Sequence, residues 1–91
     1  MTIDWTQRIT QDRQTQQRAN SLRAQRDVAI RETSWLVERH RDEQDATIAT
    51  TLTAEQYAEL LAYRQQLRDL PSAPGWPAID IPQPPVWLAQ T

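Results

Sequence analysis

Residues 52–71 read Leu52-Thr53-Ala54-Glu55-Gln56-Tyr57-Ala58-Glu59-Leu60-Leu61-Ala62-Tyr63-Arg64-Gln65-Gln66-Leu67-Arg68-Asp69-Leu70-Pro71. This stretch decides the fold. Thr53 followed by Gln56 has the spacing of a capping box, in which each side chain satisfies the other's backbone amide. Leu52 before the cap and Tyr57 inside the helix have the spacing of a hydrophobic staple. Tyr57, Leu60, Leu61, Arg64 and Leu67 then fall along one face. Pro71 disfavours helical geometry at the residue before it. The spacing predicts a helix over 54–69.

Upstream, residues 1–70 contain no Gly and no Pro, so helix is permitted nearly throughout. Residues 3–46 read as one long helix or two in series, with Asp4 or Thr6 as the cap. From residue 7 to 18 the stretch is Gln- and Arg-rich, with Ile9 its one large apolar residue. A helix polar on every side is weak alone. From residue 19 the pattern changes. Ala19, Leu22, Ala29 and Leu36 make a stripe that Ile30 and Val37 widen, as in an amphipathic helix facing a core. Arg23 with Asp27, and Asp27 with Arg31, are four apart and placed to pair. Residues 39–51 read as a charged helix end and a loop, with Ile48 plugging the core.

All six prolines, at 71, 74, 77, 82, 84 and 85, lie in the last segment. They favour polyproline or edge-strand geometry over helix, and Gly75 marks a turn. Trp76, Ile79, Ile81, Val86, Trp87 and Leu88 interrupt them. A polar linker lacks such residues; these look like anchors laid along a surface.

The fold expected is therefore all-α: an antiparallel helical pair, residues 19–43 with 54–69, covered by an extended proline-rich C-terminal tail. In domain terms this is one small unit, with a projecting helical arm at 1–18, a hairpin at 19–70 and the tail at 71–91.

Composition narrows the function. Ninety-one residues with 38% hydrophobic content fall below the globular average of roughly 45–50%. An elongated protein that buries surface on a partner fits this better than an isolated globule. There is no Cys, which excludes disulfides and thiolate metal sites. A net charge of −2 argues against a dedicated nucleic-acid binder. No apolar run approaches the ~18 residues of a membrane span, and the first residues do not read as a signal peptide. All ten basic residues are Arg; GC-rich coding is the simpler account, although Arg also suits carboxylate pairing and aromatic stacking.

No catalytic constellation emerges. His40, the one histidine, lies between Arg39 and Arg41 and reads as a solvated surface residue. One Gly rules out a phosphate-cradling loop. Glu55 and Glu59 read as solvating carboxylates. The chain is thus read as neither an enzyme nor a cofactor or metal binder. Arg64 lies within an apolar stripe, and a buried guanidinium needs a partner; Asp27 is the first candidate and Glu38 the second, unless the head reaches water. Trp35 and Trp76 are expected to pack on the 57–67 face. Trp5, Arg8, Ile9 and Arg13 in the arm, with Trp87 in the tail, are the expected partner contacts, because aromatic and Arg residues anchor interfaces.

Several blocks occur in a telling order. They are Arg26-Asp27, Ser34-Trp35, Leu52 to Gln56, Tyr63-Arg64-Gln65-Gln66-Leu67-Arg68-Asp69-Leu70-Pro71, Gly75-Trp76-Pro77 and Pro84-Pro85. This resembles the phage tail assembly chaperone family, also called tail fibre assembly proteins, over about residues 22–88. Ser34 stands where the family usually has Asp, and the 39–51 connection is longer than in many members. The resemblance implies a phage tail or tail-fibre protein as partner, met in the host cytoplasm during assembly. The alternatives are a permanent structural component of the virion tail or tail fibre and a generic helical adaptor; a homo-oligomer is allowed beside the tail partner.

Overall fold

The computed structural model describes the backbone of residues 5–90 and the side chains of residues 6–89. Among them the regular structure is all helical, with no strand. The first helix, α1, is a single uninterrupted element, Trp5–Asp45, of 41 residues. At 1.5 Å per residue it is about 61 Å long, and it sets the long dimension of a 71 × 21 × 17 Å molecule. Residues 6–18 are exposed on every side.

The end of α1 is a Schellman turn. The Ile48 amide donates to the Glu43 carbonyl at 3.0 Å, and the Thr47 amide to that of Gln44 at 3.1 Å. This motif needs a left-handed residue, usually Gly. Here it is Thr47, at φ 59°. Because the turn uses the Ile48 backbone to close the helix, the Ile48 side chain is left outside, 60% exposed. It does not plug the core, contrary to expectation. The loop is closed instead by Glu43, whose carboxylate accepts from the Thr51 hydroxyl at 2.7 Å and from its amide at 3.2 Å.

The second helix, α2, spans Ala54–Asp69. Thr53 Oγ1 accepts from the Gln56 amide at 3.1 Å, while Gln56 Oε1 accepts from the Thr53 amide at 2.9 Å. Pro71 then lacks the amide that would continue the helix, and the chain tightens into a 3-10 turn, Leu70–Ser72. α2 runs back along α1. Leu36, Val37, Leu52 and Leu60 form the core cluster, with Tyr57, Trp87 and Leu88 packed against it. Further along α2, Arg64 reaches Ile30 and Thr33. Leu61 sits off the core stripe and is 39% exposed.

The last segment doubles back. It turns at Gly75, which holds φ 89°; an added Cβ there would lie 3.0 Å from Ile79 Cγ2. Arg18 grips this turn, with Nε donating to the Pro77 carbonyl at 2.8 Å and Nη2 to the Ile79 carbonyl at 3.3 Å. The chain then returns to the α1–α2 core, where Trp87 Nε1 donates to Glu59 Oε2 at 2.9 Å. The segment is not extended throughout, because Val86–Gln90 forms a second 3-10 turn. Proline is compatible with such a turn at its start, where its missing amide has no bond to lose.

Candidate partner-binding surface

The polar rung between the helices comes first, because it fixes their register. Arg64 is buried, and burial is the main cause of a proton affinity below the ordinary guanidinium value, followed by the like charges of Arg68 and Arg41. Its Nη1 donates to Thr33 Oγ1 at 2.6 Å and to the Ile30 carbonyl at 2.7 Å. Neither Asp27 nor Glu38 is its partner. Asp27 instead pairs with the adjacent Arg26 at 3.0 Å, not with Arg23 or Arg31. One helix carbonyl and neighbouring hydroxyls meet the guanidinium's donors without burying a second charge, which is the cheaper arrangement.

His40 is buried, not solvated. Its ring stacks on Tyr57 with centroids 3.8 Å apart and 14° between planes. Arg23 lies over Trp76, 5.5 Å from the ring centroid, so Trp76 meets α1. Trp87 is tied to Glu59 and to the core cluster and does not stand clear for a partner. Trp35 departs furthest from expectation. It is 48% exposed, and the Arg39 guanidinium lies over its ring, 4.9 Å from the centroid.

Beside Trp35 runs a groove between α1 and the returning tail. Two cavities make it up. One, of about 300 Å³, lies among Trp35, Leu36, Pro84 and Leu88. The other, of about 420 Å³, lies among Ala24, Val28, Ala29 and Ile81. Glu32 borders both and is the one charged residue that does. It is exposed and makes no hydrogen bond or ion pair among the described residues. Its charge is felt at Tyr63, whose hydroxyl is raised above its ordinary value of 10.0 by burial first and by Glu32 second.

On the arm, Ile9 is 50% exposed, and Arg8 and Arg13 are exposed too. The side chain of Trp5 lies outside the described residues. The structure therefore does not bring Trp87 together with the arm. Among the described residues no group of His, Asp or Glu is placed to hold a metal ion. No described helix is long and apolar enough to cross a membrane.

The family model of the phage tail assembly chaperone protein matches residues 19–86. The chain belongs to that family. No curated protein and no solved structure matches it. For this phage tail assembly chaperone family member, the matched region holds both helices of the core, the Arg64 rung and most of the groove. The arm before residue 19 lies outside it.

Sequence reasoning missed Thr33, His40, Tyr63, Glu32 and Glu59. A signal for the first two was present. Ala19, Leu22, Arg26, Ala29, Thr33, Leu36 and His40 alternate three and four apart, so Thr33 and His40 occupy core positions of the same stripe. Continuing the stripe through its polar members would have found them.

Proposed function

We propose that this protein is an assembly chaperone for a phage tail or tail-fibre protein. It would bind that structural protein while incomplete and block its wrong associations. The family match over residues 19–86 carries this reading. The shape supports it. An antiparallel helical pair clasped by the proline-rich tail buries few large side chains: among the described residues, only Leu36, Leu60 and Leu67 are large and fully buried. Val28, Trp35 and Ile9 remain at the surface, as on a protein whose remaining burial comes from a partner. The reading involves no catalysis and no cofactor, and places the protein in the host cytoplasm during assembly.

The arm is the first contact in this proposal, through Trp5, Arg8, Ile9 and Arg13, where apolar residues beside Arg have the makeup of an interface core and rim. Trp87 joins them only if the tail lifts from Glu59.

Co-expression of the full chain with each tail protein of the same phage tests the function. A stable complex with one of them, absent from purified mature virions by mass spectrometry, is the expected result. Failure to bind any tail protein overturns the reading. A complex that persists at fixed stoichiometry in the mature tail makes the protein a structural component instead.

A further inference from the structure

The groove beside Trp35 has apolar walls and a single charge at its centre. Val28 and Ile81 flank Glu32 on one side; Trp35 and Leu88 flank it on the other. The lined stretch of α1, from Ala24 to Leu36, spans about 18 Å, or a little over three helical turns. That length matches a short helix laid along it, the helix-in-groove mode of recognition.

Charge selects the occupant. A carboxylate that shares a concave apolar surface with no basic neighbour loses solvation when the groove is covered, and that loss must be offset by a paired cation or donor. No basic side chain lines either cavity, and four nearby arginines are engaged elsewhere. Arg26 is turned to Asp27, Arg18 to the tail carbonyls, Arg23 to Trp76 and Arg39 to Trp35. An uncharged apolar segment would strand Glu32, and an acidic one would be repelled.

We propose that this groove docks an amphipathic helical segment of the tail protein that carries one Arg or Lys between its apolar anchors, with Glu32 as the cation's partner and Val28 and Trp35 as the apolar floor. This rests on the chaperone function proposed above and names the chemistry of the segment recognised.

Two measurements test it. The first uses the full chain and two blocked synthetic peptides of about three turns, each with leucines along one face. One carries arginine between the leucines and the other carries glutamate there. In amide and indole correlation spectra, the arginine peptide should shift the Trp35 indole and the Val28, Glu32 and Ala89 amides. It should bind roughly tenfold more tightly than the glutamate peptide. Glu32→Arg should reverse that preference; the exposed Glu32 side chain makes no bond that the fold would lose, and an unchanged melting curve checks this. Equal binding of both peptides, or shifts that map elsewhere, overturns the groove. The second measurement repeats the tail-protein co-expression with Glu32→Arg and with Val28→Asp. Loss of the complex in both is expected. An intact complex in both overturns the groove while leaving the chaperone function standing. If the wild-type chain captures no tail protein, the functional reading fails, and the peptide preference alone decides the groove.

Discussion

Arg64 Nη1 and Thr33 Oγ1 lie 2.6 Å apart, joining the two helices across their buried faces. The Thr33 hydroxyl also donates back to the Ala29 carbonyl at 2.9 Å. It therefore keeps a partner if Arg64 is lost, whereas Arg64 without Thr33 loses its shortest bond. The two substitutions should then be unequal. Thr33→Val should destabilise by about 1–3 kcal/mol, the cost of a buried donor left short of a partner. Adding Arg64→Met to Thr33→Val should recover part of that loss, since an apolar replacement of the whole rung removes the stranded charge. Urea denaturation of the two single variants and the double variant gives the coupling. Purely additive losses would mean that the rung does not act as a pair.

Thr47 holds a left-handed backbone at φ 59° to close α1. For an L-residue that geometry costs about 1–2 kcal/mol, while Gly gives back part of the gain through its freer unfolded chain. Thr47→Gly should stabilise by about 0.5–1 kcal/mol net. Calorimetry should show a melting temperature higher by a few degrees. A lower one would contradict the Schellman closure.

Trp87 is the tail's pin at the core. Trp87→Ala should cost about 3 kcal/mol, at the lower end for a large aromatic because the ring is only half-buried. Trp87→Phe should cost about 1 kcal/mol, for the bond to Glu59 alone. Removing residues 75–91 should expose the core cluster and raise dye binding to apolar surface. A truncated chain with the wild-type denaturation midpoint would show that the tail contributes nothing to the fold.

A carboxylate and a phenol give opposite pH limbs. Hydrogen bonds from the Thr51 side chain, then from its backbone, hold Glu43 below its ordinary value of 4.5. A lowered acid favours folding above its unfolded value, and that contribution disappears as pH falls through the folded one. Glu43→Ala should flatten the stability curve below about pH 4.5. Tyr63 is raised, so its contribution is full below 10.0 and is lost as pH climbs through its folded value. Glu32→Gln should lower the Tyr63 titration midpoint in a ring-carbon spectrum. A midpoint that stays in place would put Glu32 too far away to act.

The arm should open readily. Its amides, over residues 8–18, are held only by bonds within a helix that is exposed on all sides, and such helices gain little from tertiary burial. Hydrogen exchange there should be much faster than over 29–40. Slow exchange in a verified monomer would sink this expectation.

The helices were legible because their signals are local. The Thr53–Gln56 box and Pro71 bound α2, and the lack of Gly and Pro through residue 70 permits α1. What was not legible depends on which face meets which element. His40 looks solvated between two arginines, yet the three-four stripe carries it inward onto Tyr57. Trp35 looks like core by its size, but it sits two positions beyond Thr33 and so turns toward the groove. Arg64 was recognised as buried, but its acceptors are a carbonyl and a hydroxyl of another helix, which no charge pattern announces. The return of the tail depends on Arg18 catching two carbonyls, a contact between residues some sixty apart in sequence.

The continuity of α1 has a mechanical side. One shaft carries both the arm and the groove wall, so whenever the arm is helical its azimuth is locked to that of the body. Ile9 and Glu32 are then separated by about 35 Å and by a set rotation about the axis. Deleting a single residue between 14 and 17 would swing Ile9 by about 100° while moving it only about 1.5 Å along the axis. A partner gripping both ends would feel the swing far more than the shortening. Deleting seven residues would restore the phase to within about 20° and change only the reach. The helix thus serves as both ruler and protractor for whatever it holds.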